Sequence, residues 1–407
     1  MISLTKMLCD VATSGDALRY GIAEKGESQP TGTPVVVWNM SRRCNLRCVH
    51  CYAEASMSAS DDELTTDEAK ALIDDLAEMR APVLLFSGGE PTMRPDLIEL
   101  GAYTAETGVR PVISTNGTLI DVEMAGKIKD AGFQYVGVSI DGLRETNDRF
   151  RGKRGAFDAA LDGLRNCRDA GLKVGIRFTV NKRNYDDLPG ILDLLEEEKI
   201  PRFCLYHLVY AGRGSELANE DLAHVETRAM MDMLFERTVD FHERGIELEM
   251  LTVDNHADGV YLYLKLAREN PDRAREVLRL LRISGGNASG VRIGCVGVTG
   301  EVHADQFWRH YSFGNVRRRK FSEIWYDLSD ELMAGLKDRR ALLTGKCGRC
   351  SYQDICNGNF RVRAEAVHSD PWMEDPACYL TEEEIVADAE SLADAAPGTG
   401  QYACKGQ

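Results

Sequence analysis

The sequence predicts an α/β protein, on three observations: short apolar runs, helical spacing between them, and cap or stop residues at the joints. Runs at 35–38, 83–86, 112–114, 135–140, 174–180 and 203–209 read as buried parallel strands. Helical patterns fill the gaps at 66–79, 124–131, 157–170 and 188–198. Thr65 or Thr66 suits the N-cap of the first helix, and Gly132 and Gly171 suit the ends of two others. Six successive βα units make a barrel or a doubly wound sheet, with chemistry expected at the carboxyl ends of the strands.

The pattern changes after Gly214. Residues 221–244 and 261–282 read as two longer helices, followed by a glycine-rich turn at 285–290. From Val291 the chain is loop-rich with short strands, and its end reads as a weakly ordered tail. A length of 407 residues accommodates one large domain and a smaller one. The first ten residues lack a signal peptide's basic flank and apolar core, and no stretch resembles a membrane span. A soluble, cytoplasmic protein without a membrane partner is expected.

Acidic residues outnumber basic ones, 65 to 49, for a formal charge of −16. A nucleic-acid partner is therefore disfavoured, because phosphate binding calls for a basic stripe. Twelve cysteines are many for a reducing compartment, where disulfides are rare and clustered thiols point to metal or catalysis. Seven of the twelve fall into two clusters. Cys9, Cys167, Cys204, Cys295 and Cys404 stand apart and read as small buried or incidental residues.

The first cluster, Cys44-Asn45-Leu46-Arg47-Cys48-Val49-His50-Cys51, directly follows the first expected strand. Structural zinc wants four ligands and would have to recruit His50. An iron–sulfur cubane on three thiolates would instead leave one iron open to an external ligand. The second cluster is Cys347, Cys350, Cys356 and Cys378; four thiolates suit either zinc or a fully ligated iron–sulfur cluster.

The CxxxCxxC loop resembles the signature of the radical S-adenosylmethionine (SAM) superfamily. Gly88-Gly89-Glu90-Pro91, Ser114-Thr115-Asn116-Gly117 and Ser139-Ile140-Asp141-Gly142 follow the next three strands in the order that family shows. The resemblance implies a partial (β/α)6 radical SAM barrel with a SAM-binding [4Fe–4S] cluster on Cys44, Cys48 and Cys51. It also implies SAM contacts at Gly88, Gly89, Glu90, Pro91, Ser114, Asn116, Ser139 and Asp141, with Arg177 at the SAM carboxylate. The second cluster resembles the later half of a SPASM/twitch extension, implying an auxiliary [4Fe–4S] cluster. Phe360 stands where a full SPASM domain has a further cysteine, so one auxiliary cluster is expected, with Cys295 at most a remnant of another set. The expected organisation is a 1–32 extension, a 33–215 barrel, a 216–290 helical bridge, a 291–380 loop-rich auxiliary-cluster domain and a 381–407 tail.

Stretches at 34–39, 210–214, 252–259, 302–308 and 359–363 are similar to radical SAM enzymes that modify siroheme-derived tetrapyrroles. That likeness implies an iron–tetrapyrrole substrate and reduced ferredoxin or flavodoxin as electron donor. It favours removal of two acetate side chains from 12,18-didecarboxysiroheme to give iron–coproporphyrin III, over removal of propionates in d-type haem synthesis. Substrate carboxylates call for cationic clamps such as Arg177, Arg213, Arg361 and Arg363. His207 could face the cavity, and His256, His303 or His310 could ligate the substrate iron. Trp308 and Phe307 could stack on a macrocycle. Each has a plain rival reading as a core residue or ion pair.

Two other functions compete. A radical SAM peptide maturase normally carries a recognition domain before the barrel, and only about 33 residues precede the first strand. An iron–sulfur scaffold or haem carrier would have no use for the Gly-Gly-Glu-Pro and Ser-Ile-Asp-Gly strand ends.

Overall fold

All six expected strands form, with bounds within two residues of expectation. The computed structural model describes residues 1–21, 33–58 and 62–386. The expected tail lies outside them, apart from a short helix at Glu382–Val386. In chain order the strands are β1 (Ile2–Ser3), β2 (Val35–Asn39), β3 (Val83–Ser87), β4 (Arg110–Thr115), β5 (Val136–Ser139) and β6 (Val174–Val180). β7 (Arg202–His207), β8 (Glu249–Val253), β9 (Ile293–Val296), β10 (Glu301–His303) and β11 (Gly314–Asn315) follow.

They form one sheet in the order β1-β8-β7-β6-β5-β4-β3-β2-β9-β10-β11. Every pair from β8 through β2 to β9 is parallel, and the short outer strands are antiparallel. β2 pairs with β3 and β9, so the parallel strands do not close on themselves and the barrel stays partial. Helices join the strands, as right-handed crossovers between parallel strands require.

Local chemistry sets the helix ends. Thr65 Oγ1 accepts from the Glu68 amide at 3.2 Å, and Glu68 Oε2 accepts from the Thr65 amide at 2.8 Å, closing a capping box on helix Thr66–Glu78. Such a cap contributes about 1 kcal/mol. Gly132 and Gly171 follow their helices with φ of 81° and 80°, where a Cβ would be strained.

Three features depart from expectation. The segment expected as a helical bridge contains β8, which pairs with β7 and extends the parallel sheet past residue 215. The helix expected at 261–282 is two, Ala257–Glu269 and Pro271–Ser284. Pro271 cannot donate an amide hydrogen bond and disfavours helical geometry at Asn270, whose side chain instead caps the second helix through the Arg273 amide. The start of the chain adds a strand beyond those expected, β1, which pairs antiparallel with β8.

The C-terminal segment is joined to the barrel through the sheet, with β9 lying parallel against β2 and pairing Cys295 with Val37. No helix among the described residues is long and apolar enough to cross a membrane.

Candidate functional site

The loop carrying the first three cysteines lies across the ends of β2 and β3 because two glycines let it. The amides of Gly89 and Glu90 donate to the carbonyls of Ser41 and Arg43, each at 2.7 Å. A Cβ on Gly88, whose φ is 120°, would press on the Ser41 carbonyl, and one on Gly89 would collide with that of Arg43. Buried Arg94 pins the same loop from below, donating to the Met40 and Leu64 carbonyls at 2.9 and 2.7 Å and covering the Trp38 ring.

Beneath this loop lies a cavity of about 150 Å³ that opens to solvent. Cys44, Cys48 and Cys51 all line it, together with Gly88, Gly89, Ser114, Asn116, Ser139, Asp141 and Arg177. The strand ends thus converge as expected of a parallel α/β sheet. Glu90 and Pro91 do not line the cavity. Glu90 is fully buried and accepts from Thr92, Thr115 and the Asn116 amide at 2.7 to 3.1 Å, tying the end of β3 to that of β4. Pro91 starts a short 3-10 turn beside it.

The thiols have polar company. Asn116 Nδ2 approaches Cys44 Sγ at 3.8 Å, and Arg151 Nη1 donates to Cys48 Sγ at 3.5 Å. Arg151 also pairs with Asp141, which lies 3.2 Å from His50 Nε2 and accepts from the Thr179 amide at 2.7 Å. Burial favours the neutral carboxyl of Asp141, but Arg151 and His50 outweigh it and hold the group at about 2. Asp141 is therefore an anionic anchor for Arg151 and a partner for the His50 ring. Burial pushes the Cys44 thiol up to about 12, so its thiolate needs a metal or cation to form.

Two charged groups on the wall lack protein partners. Arg177 makes no hydrogen bond or ion pair with the described residues; its guanidinium lies 4.5 Å from the Tyr206 ring centroid. Asp254, one residue past β8, has a left-handed backbone (φ 67°) and a carboxylate that accepts no hydrogen bond from the described residues. Burial raises it to about 6, although the chain's N-terminal ammonium and Arg363 pull the other way. Strained, buried and unpartnered groups of this kind concentrate at functional sites.

Of the substrate candidates, His207 and Arg213 line the cavity. His207 Nε2 contacts Asp258 at 3.0 Å, and Asp258 accepts from Tyr379 at 2.8 Å. Arg213 staples the cysteine loop through the carbonyls of Cys48 and Ala55, leaving Nη2 buried without a partner. The others lie elsewhere. His256 is buried against the N-terminal ammonium at 3.4 Å, and His303 Nδ1 is bonded to the Tyr311 carbonyl at 2.7 Å. His310 is exposed and paired with Glu365. Trp308 is core, packed among Val209, Leu336 and Phe360, while its neighbours Gln306 and Phe307 reach the cavity. Arg363 is fully buried in an ion pair with Asp375. Arg151, Tyr206, Asp254 and Gln306 were not singled out by sequence; an acidic residue directly after a short apolar run was the available sign of Asp254.

Arg361 lies at the other cysteine site. Cys347, Cys350, Cys356 and Cys378 line one small cavity, and Arg361 Nη2 donates to Cys347 Sγ at 3.7 Å. Arg361 otherwise donates only to backbone carbonyls, and its Nε is buried without a partner. No three His, Cys, Asp or Glu side chains among the described residues converge closely enough to ligate a single metal ion. The four thiols are spread around a small hollow. Of the scattered cysteines, Cys167, Cys204 and Cys295 are buried free thiols, and Cys295 Sγ receives Asn39 Nδ2 at 3.5 Å. Cys9 is disulfide-bonded, contrary to expectation, and Cys404 lies outside the described residues.

Residues 38–195 match the model of the Radical SAM superfamily. Over 394 residues, 95% of this chain and 99% of the relative, the sequence is 62% identical to the Fe-coproporphyrin III synthase of Methanosarcina barkeri. The chain belongs to the radical SAM superfamily. It is an enzyme of the radical SAM type, using SAM and a [4Fe–4S] cluster. It is also 43% identical to the pre-heme d1 synthase of Dinoroseobacter shibae, across 86% of this chain and 87% of that one. Its radical SAM fold superposes on native anSMEcpe with bound AdoMet at a TM-score of 0.66 and 17% identity, covering 85% of this chain and 94% of that one.

Proposed function

We propose that this radical SAM enzyme removes two acetate side chains from 12,18-didecarboxysiroheme to give iron–coproporphyrin III. The observation that carries this reading is the 62% identity, over nearly both full lengths, to an Fe-coproporphyrin III synthase. Cys44, Cys48 and Cys51 would hold the SAM-binding cluster, for which three thiols on one cavity wall and the N–H donors aimed at Cys44 and Cys48 are a fitting set. Bound there, cluster and SAM supply a 5′-deoxyadenosyl radical that abstracts a substrate hydrogen.

The chain's own residues do the rest. The Gly88 and Gly89 backbone, Ser114, Asn116 and Ser139 line the SAM pocket. Glu90 and Pro91 shape it from behind, and Asp141 holds Arg151 and His50 against the cysteine loop. Arg177 and the free Nη2 of Arg213 are placed to bind carboxylates of SAM or substrate. Asp254 offers a hydrogen bond from the facing wall, in its protonated form below about pH 6. Cys347, Cys350, Cys356 and Cys378 would hold an auxiliary [4Fe–4S] cluster, with Arg361 as its counter-cation. A reduced ferredoxin or flavodoxin would supply electrons in the cytoplasm.

The test is anaerobic incubation of the reconstituted enzyme with SAM, dithionite and 12,18-didecarboxysiroheme, followed by mass spectrometry. Loss of two acetate equivalents with 5′-deoxyadenosine is expected. Mass loss matching propionates would move the chain to the pre-heme d1 reaction. An unchanged tetrapyrrole would overturn the substrate assignment.

A further inference from the structure

The protein carries a formal charge of −16, yet the surface around its first cysteine loop is cationic. Arg42 and Arg43 precede Cys44, and Arg47 lies between Cys44 and Cys48; all three are exposed. The segment bearing exposed Arg149, Lys153 and Arg154 crosses the same loop. Arg47 donates its amide to the Arg151 carbonyl at 3.1 Å, and Val49 to that of Phe150 at 2.9 Å, which sets Arg47 beside the 149–154 segment, with Arg42 and Arg43 further along the same loop.

None of the six has a carboxylate within ion-pair distance among the described residues, whereas exposed cations elsewhere are commonly paired, as in Arg183–Glu220, Arg317–Glu68 and Lys320–Glu78. The carboxylates bonded to these two segments are spent on other groups. Glu63 accepts from Ser41 Oγ and the Arg42 amide, and Asp148 accepts from the amides of Gly155 and Phe157. Uncompensated cations concentrated on one face of an acidic protein create a local field of opposite sign, which draws an acidic partner and turns it.

The same segment also reaches inward. Arg151, between Arg149 and Lys153, contacts Cys48 Sγ, and Cys48 and Cys51 are only half-buried. The cationic face is thus one residue away from the thiols. Radical chemistry at that site needs electrons one at a time from outside, and the cationic face adjoins the residue that contacts Cys48.

We propose that Arg42, Arg43, Arg47, Arg149, Lys153 and Arg154 form the docking surface for an acidic one-electron carrier protein. This rests on the radical SAM activity of the chain and names the surface through which that activity is fed. The docking is electrostatic, so it governs encounter with the carrier and leaves the cavity untouched.

The test compares two triple variants of the reconstituted enzyme with equal charge changes. Arg42→Glu/Arg149→Glu/Lys153→Glu alters the proposed surface. Arg80→Glu/Lys173→Glu/Lys199→Glu alters exposed cations just before three of the parallel strands, at the opposite end of the sheet. Deoxyadenosine formation is measured with enzymatically reduced flavodoxin, and separately with dithionite. The first variant is expected to raise the KM for flavodoxin at least about tenfold and to flatten its dependence on salt, with the dithionite rate unchanged. The second is expected to match wild type with both reductants. A wild-type KM and salt dependence in the first variant, or an equal loss in both, would overturn the docking surface. Absence of deoxyadenosine from the wild type with dithionite would instead overturn the reading beneath it.

Discussion

The two cysteine sites answer the same problem, holding buried sulfur, with opposite electrostatics. At the first, the loop lies over open strand ends, and the cation touching a thiol, Arg151, is tied to the anion Asp141. At the second, the thiols ring a small hollow, and Arg361, the cation touching Cys347, has no carboxylate partner among the described residues. A buried cation without an anion is costly unless negative charge arrives to meet it. The proposed auxiliary cluster, anionic and thiolate-bound, would supply the negative charge that Arg361 lacks. The first site pairs the cation that touches its thiol with Asp141 and keeps a mouth open for ligands.

The largest effect that separates them comes from removing ligands. Cys44→Ala should lose about half the iron and all measurable deoxyadenosine formation, whereas Cys347→Ala should lose about half the iron and keep SAM cleavage within about tenfold. Iron content and deoxyadenosine assays on both variants check this, and equal loss of cleavage would erase the distinction. A middle-sized effect concerns the cations. Arg361→Met should lower the reduction potential of the second cluster by about 60 mV, the one-electron equivalent of tenfold. The double variant Arg151→Met/Asp141→Asn, which removes a cation with its anion, should move the first cluster's potential by less than half as much. Redox titration followed by electron paramagnetic resonance measures both; equal shifts would refute the contrast.

Much of this arrangement was legible in the sequence, and the reasons it was not complete are physical. The apolar runs that became β2 to β7 are short, continuous and bounded by turn residues, so periodicity alone placed them. β8 was missed because Glu249–Val253 is five residues of mixed polarity between two helices, and it is a strand only because β7 and β1 flank it. The cysteines and glycines of the first site were readable because their spacing is local. Asp254 reaches the cavity through the register of β8, which no local pattern encodes. Arg361, His303 and Trp308 are residue types that serve a substrate or a core equally well, and packing decided for the core or the second site.

The smallest effect sharpens the picture of the open site. In Asp254 burial raises the carboxyl to about 6, above its ordinary value, so its ionised form costs stability as pH rises through that range. Asp254→Asn should therefore stabilise the fold on the order of 1–2 kcal/mol at pH 8 and little at pH 4, while lowering turnover. Thermal unfolding at the two pH values checks the sign; equal stabilisation at both would show that its ionisation is not the cost.

The parallel pairing of β9 with β2 has a consequence for redesign. The C-terminal segment is grafted onto the barrel by main-chain hydrogen bonds in a fixed register, with Val37 opposite Cys295. It is not a cartridge that can be clipped from one barrel onto another. A chimera that swapped everything after residue 290 would have to inherit a compatible β2 edge, and a single-residue slip would turn the exchanged strand's side chains to the wrong face.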